Sequence, residues 1–86
     1  MKQISVMRKS NIFYKKNYYV LIDPNKIESI SISDERNSNN EFPMWIIIVN
    51  LPHYSYQLVE ENSSRYYWSS YDKAIEYLKK IELYND

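Results

Sequence analysis

The 86-residue sequence contains no glycine and no cysteine. Glycine-rich phosphate loops need positive φ angles and a close approach of the backbone to the ligand, so this class of nucleotide site is excluded. The missing cysteine excludes disulfides, thiolate metal sites and cysteine nucleophiles, and it leaves the redox compartment open. Both absences narrow the function towards binding rather than chemistry.

Groups suited to acid–base catalysis are also scarce. His53 is the one histidine, and no carboxylates are spaced to complete a metal site around it. The adjacent pairs Asp34/Glu35 and Glu60/Glu61 would point to opposite faces of a strand, so neither pair would share a proton or a substrate. We therefore predict a protein that is not an enzyme, with no catalytic residues, no metal site and no cofactor.

The chain also lacks a long apolar run. Its longest, residues 44–49, is far shorter than the roughly 20 residues of a membrane-spanning helix, and no apolar signal-peptide core follows the first basic residues. We expect a cytoplasmic protein without a membrane partner. A chain of this length makes a single domain over residues 1–86, with the strands within about residues 3–68 and a helix over about 70–84.

Alternating apolar residues predict strands through most of the chain. Ile30 and Ile32 fall on one face of a strand and the neighbouring serines on the other. Residues 44–51 are apolar on both faces, which favours the central strand of the sheet. Residues 54–60 alternate again, and residues 65–68 are predicted to form a last short strand. Within residues 54–60, one face is predicted to carry Tyr54, Tyr56 and Leu58. Alternation in residues 1–17 is too weak to set a register.

A single amphipathic helix is predicted after these strands. Ser69 or Ser70 is placed to cap it, with Asp72 completing an acidic capping box from Ser69. Apolar residues at helical spacing then form one buried stripe: Tyr71, Ala74, Ile75, Leu78 and Ile81. Strands followed by one helix predict an α+β fold, an antiparallel sheet of four or five strands with the C-terminal helix packed on one face.

Positive charge is concentrated at the N-terminus. Residues 1–22 carry five basic residues and no acid, whereas residues 23–86 carry six basic and eleven acidic residues, although the net charge is zero. The basic segment supplies a candidate nucleic-acid surface formed by Arg8, Lys9, Tyr14, Lys15 and Lys16. The alternative is a solvated sheet edge on which lysine and arginine block edge-to-edge pairing.

Residues 65–71 are unusually rich in aromatic rings. If the segment is extended, Tyr66 and Trp68 point to one face and Tyr67 to the other, while Tyr71 belongs to the buried helical stripe. Half or more of these rings would then be core, and the rest, with Arg65, would suit a protein interface. The predicted partner-binding residues are Glu60, Glu61, Arg65, Tyr66, Tyr67 and Trp68.

The combined pattern favours a small, non-enzymatic protein-binding domain that occludes a functional cleft of its partner, either a nucleic-acid-processing enzyme or a toxin. A composition typical of AT-rich genes fits an inhibitor or accessory protein of a phage or other mobile element. Anti-defence inhibitors, including anti-CRISPR proteins, and toxin-immunity proteins share the small size, by analogy of type alone. Nucleic-acid binding through the basic segment and stacked rings is the alternative. A homodimer formed by pairing of an edge strand is a third hypothesis.

Overall fold

The computed structural model describes residues 4–9, 17–36, 42–60 and 65–84. These residues form an antiparallel sheet and one C-terminal helix, which is the α+β fold predicted from the sequence. The elements in chain order are β1 (Ile4–Lys9), β2 (Asn17–Ile22), a 3₁₀ turn (Pro24–Lys26), β3 (Ser29–Asp34), β4 (Trp45–Asn50), β5 (Ser55–Leu58) and α1 (Tyr71–Lys80).

Across the sheet the strands lie in the order β2-β1-β5-β4-β3. The prediction that residues 44–51 form the central strand is therefore wrong, because β5 occupies the middle position and β4 lies next to the edge. β4 is nevertheless paired on both sides, and the consecutive residues Ile46 and Ile47 are both buried. Successive residues point to opposite faces, so both faces of β4 are covered, as its apolar run requires.

The core lies between one face of the sheet and α1. β1, β2, β4 and β5 each contribute side chains to this face, and the helix and the segment before it close it from above. Its buried members are Ile4, Val6, Ile22, Ile47, Val49, Leu58, Trp68, Ala74 and Leu78. Ile30 and Ile32 of β3 are only half-buried against this cluster. The core is therefore thinner beneath the β3 edge.

The connection from β2 to β3 crosses the sheet. Every neighbouring pair of strands is antiparallel, and three strands separate β2 from β3. These two strands therefore run in the same direction at opposite edges of the sheet. The chain between them turns at Pro24, where the Asp23 side chain accepts a hydrogen bond from the backbone N–H of Asn25. Ile27 then packs against the core, on the side of the sheet that carries α1.

The helix begins where a serine caps it. The Ser70 hydroxyl oxygen accepts a hydrogen bond from the Lys73 N–H at 3.1 Å, so Ser70 rather than Ser69 is the N-cap. Asp72 lies in the first turn and Lys79 and Lys80 in the last, which suits the helix dipole.

Two parts of the helix prediction are wrong. The helix ends at Lys80 rather than near residue 84. Tyr71, placed in the buried stripe by its spacing, is 49% exposed because it is the first helical residue and projects over the margin of the sheet. Ala74 and Leu78 are buried as predicted, and Ile75 and Ile81 are half-buried.

A glutamate ends the helix in a conformation that usually selects glycine. Glu82 has a φ of 62°. Its N–H donates to the Lys79 carbonyl, and the N–H of Leu83 donates to the Leu78 carbonyl at 2.9 Å. This pair of bonds is the Schellman arrangement, in which the residue with positive φ is most often glycine. A side chain there costs about 1–2 kcal/mol.

Replacing Glu82 by glycine is therefore expected to raise the free energy of unfolding by about 1 kcal/mol, because it removes the Cβ from the left-handed conformation. Urea denaturation followed by circular dichroism measures the change. The matched control is Glu82→Ala, which keeps the Cβ and removes the charge. A gain in stability for the alanine variant as large as for glycine would show that charge rather than backbone strain limits stability at this position.

Candidate functional site

Trp68 is a core residue rather than a surface contact. Its backbone N–H and carbonyl exchange hydrogen bonds with those of Trp45 at 2.7 and 3.0 Å, and its ring packs 5.2 Å from that of Tyr77 on α1. The side chain is 5% exposed. We therefore remove Trp68 from the predicted partner-binding residues. Residues 65–68 also form no strand, since the pairing is confined to the bridge at Trp68.

The two preceding tyrosines lie side by side. Tyr66 and Tyr67 have ring centroids 5.3 Å apart in an edge-to-face arrangement. The prediction that they point to opposite faces is wrong, because Arg65, Tyr66 and Tyr67 lie outside any strand and the two-residue period does not apply to them. Arg65 and Tyr67 are exposed, Tyr66 is half-buried, and the Arg65 carbonyl accepts a hydrogen bond from the Glu60 N–H at 2.7 Å.

Four of the predicted contact residues lie outside the residues that the structure describes: Tyr14, Lys15, Lys16 and Glu61. The backbones of Arg8 and Lys9 belong to β1, opposite Tyr18 and Asn17 of β2, but their side chains are not part of the description. Nucleic-acid binding through this basic segment stays a prediction.

A concave groove lies between α1 and the edge strand β3. It has a cavity volume of about 620 Å³, within the usual range for ligand sites. We call it the α1/β3 groove. Its lining residues are Pro24, Ile27, Glu28, Ser29, Ile30, Ile32, Tyr71, Ile75, Leu78, Glu82, Leu83 and Tyr84.

The floor and helical wall of the groove are apolar. Ile30 and Ile32 lie on the core face of β3, opposite Val49 and Ile47 of β4. On the helical wall, Ile75 is half-buried and the Tyr71 ring lies edge-to-face on Trp45 at 5.8 Å. The centres of protein interfaces are more apolar than the rest of the surface, and tyrosine is enriched there.

The far end of the groove is closed by the segment after the helix. Because Glu82 reverses the chain, Leu83 and Tyr84 return towards β3 and line the groove. The Tyr84 ring is 38% exposed and lies under the Lys79 ammonium group, 5.3 Å from its centroid. Sequence reasoning missed this wall, since it extended the helix through these residues.

The charged side chains that line the groove are acidic, and the Lys79 ammonium group lies beside them over the Tyr84 ring. The two charged lining residues are Glu28 and Glu82, both exposed. Asp34 and Glu35 lie at the other end of β3, where the Ser33 hydroxyl donates to the Glu35 carboxylate at 2.8 Å. Acidic side chains therefore stand at both ends of the β3 edge.

Asp34 is held in place by local hydrogen bonds. Its Oδ1 accepts from the backbone N–H of Arg36 at 3.0 Å and from that of Met44 at 3.2 Å, and its Oδ2 lies 3.4 Å from the Arg36 guanidinium. The bond from the Arg36 N–H, with those from Met44 and the guanidinium charge, lowers the pKa of this carboxyl group against the opposing effect of partial desolvation. The β3 end of the β3–β4 hairpin is thus tied by an ionised aspartate.

On the opposite face of the sheet, Gln57 is the buried polar side chain among those that the structure describes. Gln57 alternates with Tyr56 and Leu58, so it points away from α1. It is buried, and its Oε1 has no hydrogen-bond partner within the described ranges. The alternation in residues 54–60 correctly placed Tyr56 and Leu58 on one face, but Tyr54 precedes β5 and is exposed. We assign no site to this face.

In the described part of the chain, no three His, Asp or Glu side chains are grouped closely enough to hold a metal ion, and His53 is exposed. The α1 helix falls short of the length and apolarity that a membrane crossing would need, and no other described helix reaches them.

No protein-family model matches the sequence, and comparison with curated proteins and with solved structures gave no match.

The hydrogen bonds to Asp34 predict that the β3 end of the β3–β4 hairpin loses stability at low pH. Since the folded pKa lies below the unfolded value, the stabilisation is complete above the unfolded pKa and is lost as the pH falls through the folded pKa. We expect an NMR titration of the Asp34 carboxyl carbon to show a midpoint below the ordinary aspartate value. The protection factor of the Met44 amide, which corrects its exchange rate for the intrinsic pH dependence, should fall at the same midpoint.

The control for this titration is Asp34→Asn, whose side chain does not ionise. In that variant the acid-dependent change at Met44 should vanish. A normal Asp34 midpoint, or an unchanged acid response in the asparagine variant, would show that the carboxylate does not hold the hairpin.

Proposed function

We propose that this chain is a non-enzymatic protein-binding domain whose partner docks in the α1/β3 groove. The observation that carries the proposal is the make-up of this groove: Ile30 and Ile32 form its floor, its helical wall bears the exposed ring of Tyr71, and polar groups make up much of the remaining lining. Stable interfaces have an apolar core enriched in aromatic residues and a polar, solvent-accessible rim.

The groove replaces the 65–68 segment as the leading contact surface. With Trp68 in the core, that segment offers the exposed side chains of Arg65 and Tyr67 and the half-buried Tyr66, whose ring lies against that of Tyr67. The groove instead joins a strand edge, a helix face and the segment after the helix in one concavity. We retain the 65–67 patch, with Glu60, as the competing contact surface that the experiment below must separate from the groove.

The biological role that we propose is occlusion of a partner's functional cleft, by an inhibitor or accessory protein of a mobile element acting in the cytoplasm. Its support is indirect: a composition typical of AT-rich genes and an excess of acidic residues after residue 22. An acidic surface speeds association with a basic cleft, such as that of a nucleic-acid-processing enzyme.

Two tyrosine variants test which surface binds. Tyr71 and Tyr67 are similarly exposed, at 49% and 41%, but only Tyr71 lines the groove. Wild type, Tyr71→Ala and Tyr67→Ala are used as bait in a native lysate at low salt, and bound proteins are quantified by mass spectrometry. We expect Tyr71→Ala to lose a stoichiometric partner by about 30-fold in affinity, as loss of a central aromatic contact does, and Tyr67→Ala to retain it.

Thermal melts of both variants establish that they remain folded, since Tyr71→Ala gives up an edge-to-face contact worth about 0.5–1.5 kcal/mol. Loss of the partner with Tyr67→Ala alone would move the contact to the 65–67 patch. If wild type retains no stoichiometric protein, the proposed function is wrong.

A further inference from the structure

The backbone of β3 has hydrogen-bonding groups that point away from the sheet. The Glu35 N–H donates to the Met44 carbonyl, so these two residues form a hydrogen-bonded pair. Asp34 is opposite Trp45, but the N–H and carbonyl of Trp45 bond to Trp68, so Asp34 and Trp45 form a non-hydrogen-bonded pair. Hydrogen-bonded and non-hydrogen-bonded pairs alternate along an antiparallel ladder. Ser29, Ser31 and Ser33 therefore bond to β4, and the N–H and carbonyl groups of Ile30 and Ile32 face outward.

Along the described chain, no strand pairs with this outward side of β3. Natural sheets protect such edges with lysine, proline, bulges or very short strands. β3 has six residues, SISISD, with neither lysine nor proline, and its register against β4 is regular from Ser29 to Asp34. The ladder is irregular only just before the strand, where the Glu28 N–H also donates to Asn50, the residue opposite Ser29. Within the described residues, the edge is thus open to pairing around Ile30 and Ile32.

The side chains beside these outward groups lie in the α1/β3 groove. Ile30 and Ile32 present their backbone groups to the edge and their side chains to the groove floor. In a strand paired with β3, about 4.8 Å away, every second side chain would fall on the same face, between Ile30, Ile32 and the helical wall. An occupant therefore needs apolar residues at alternate positions.

Charge selects among extended occupants. Glu28 and Glu82 line the groove and Glu35 follows β3. Asp34, by contrast, is paired with Arg36, and Lys79 lies over the Tyr84 ring. Acidic groups outnumber basic ones among these residues, so a strand with lysine or arginine near its ends is complementary. A second copy fits less well. Two-fold pairing centred on Ser31 would join Ile30 to Ile32 of the other copy, but it would also place Glu28 against the other copy's Asp34.

We propose that the α1/β3 groove binds an extended segment of another protein by strand addition to β3, with apolar residues at alternate positions and basic residues at its ends. This rests on the proposed function, because it names the form of the partner at the same groove. Strand addition takes affinity from main-chain hydrogen bonds and specificity from the pockets that receive alternate side chains.

A tethered probe tests the proposal without an identified partner. The chain is extended beyond residue 86 by a Gly/Ser linker of ~15 residues and the segment Lys-Val-Thr-Val-Thr-Val-Lys. Such a linker spans about 20 Å and gives an effective concentration in the millimolar range, so weak pairing becomes visible. Leu83 and Tyr84 already line the groove, which puts the tether near its target.

Amide hydrogen exchange measured by NMR reports the pairing. We expect exchange at Ile30 and Ile32 to slow by about tenfold relative to the unextended chain, with little change at Ser31, which already bonds to β4. The matched probe has glutamate in place of both lysines, and it should give less than about half of that effect.

A pair of substitutions at one position separates backbone pairing from side-chain contact. Ile32→Pro removes an outward N–H without touching the ladder to β4, whereas Ile32→Ala shortens the side chain and keeps the N–H. In the tethered chain we expect protection at Ile30 to persist in the alanine variant and to vanish in the proline variant. Thermal unfolding verifies that both variants fold.

The remaining outcomes overturn the inference in distinguishable ways. If the probe shifts the Tyr71 and Ile75 signals but leaves exchange at Ile30 and Ile32 unchanged, the groove binds without strand addition and the proposed function survives. If the unextended chain dimerises in sedimentation equilibrium and already protects these amides, the occupant is a second copy. If neither the groove signals nor the edge amides respond to either probe, strand addition and the groove as docking site both fall.

Discussion

The reciprocal hydrogen bonds between Trp45 and Trp68 fix the relation of the helix to the sheet. They join the start of β4 to the chain two residues before the Ser70 cap, so α1 begins at a set position over the sheet. Trp68 is thereby directed into the core against Tyr77, and Tyr71 is brought onto Trp45. The Tyr71 contact places the first turn of α1 over the start of β4, beside the β3 edge, and the Tyr77 contact fixes the next turn over the core.

The same bonds determine which backbone groups of β3 are free. Because Trp45 uses its N–H and carbonyl towards Trp68, its opposite residue in β3 does not share them. Alternation then fixes the outward groups at Ile30 and Ile32, next to the groove that Tyr71 and Ile75 border. One pair of backbone bonds thus sets the helix position and the bonding register of the edge strand.

The sequence predicted those features that follow from local periodicity. Alternating Ile30 and Ile32, the apolar run of β4 and the stripe of Ala74 and Leu78 led to the α+β fold with one helix on the sheet. The end of the helix could not be predicted, because Glu82 takes the place of the glycine that usually marks it. For the same reason Leu83 and Tyr84 were assigned to the helix rather than to the groove wall.

The groove could not be predicted from the sequence, because it depends on the order of the strands in the sheet. Nothing local in residues 29–34 shows that β3 is an edge strand, or that Tyr71 stands over it. Ring density drew attention to residues 65–68, yet its largest ring, Trp68, is the most buried of them. Aromatic content alone does not separate core from interface; in this fold, position relative to the Trp45–Trp68 bridge does.

The central claim is that β3 offers alternate, unpaired backbone groups along the groove. Residue-resolved hydrogen exchange of the unextended protein tests it most directly. Slow exchange is expected at Ser31 and Ser33 and fast exchange at Ile30 and Ile32, with rates that differ by about two orders of magnitude. Equal protection at all four amides would contradict the claim, because it would show that the edge is already paired.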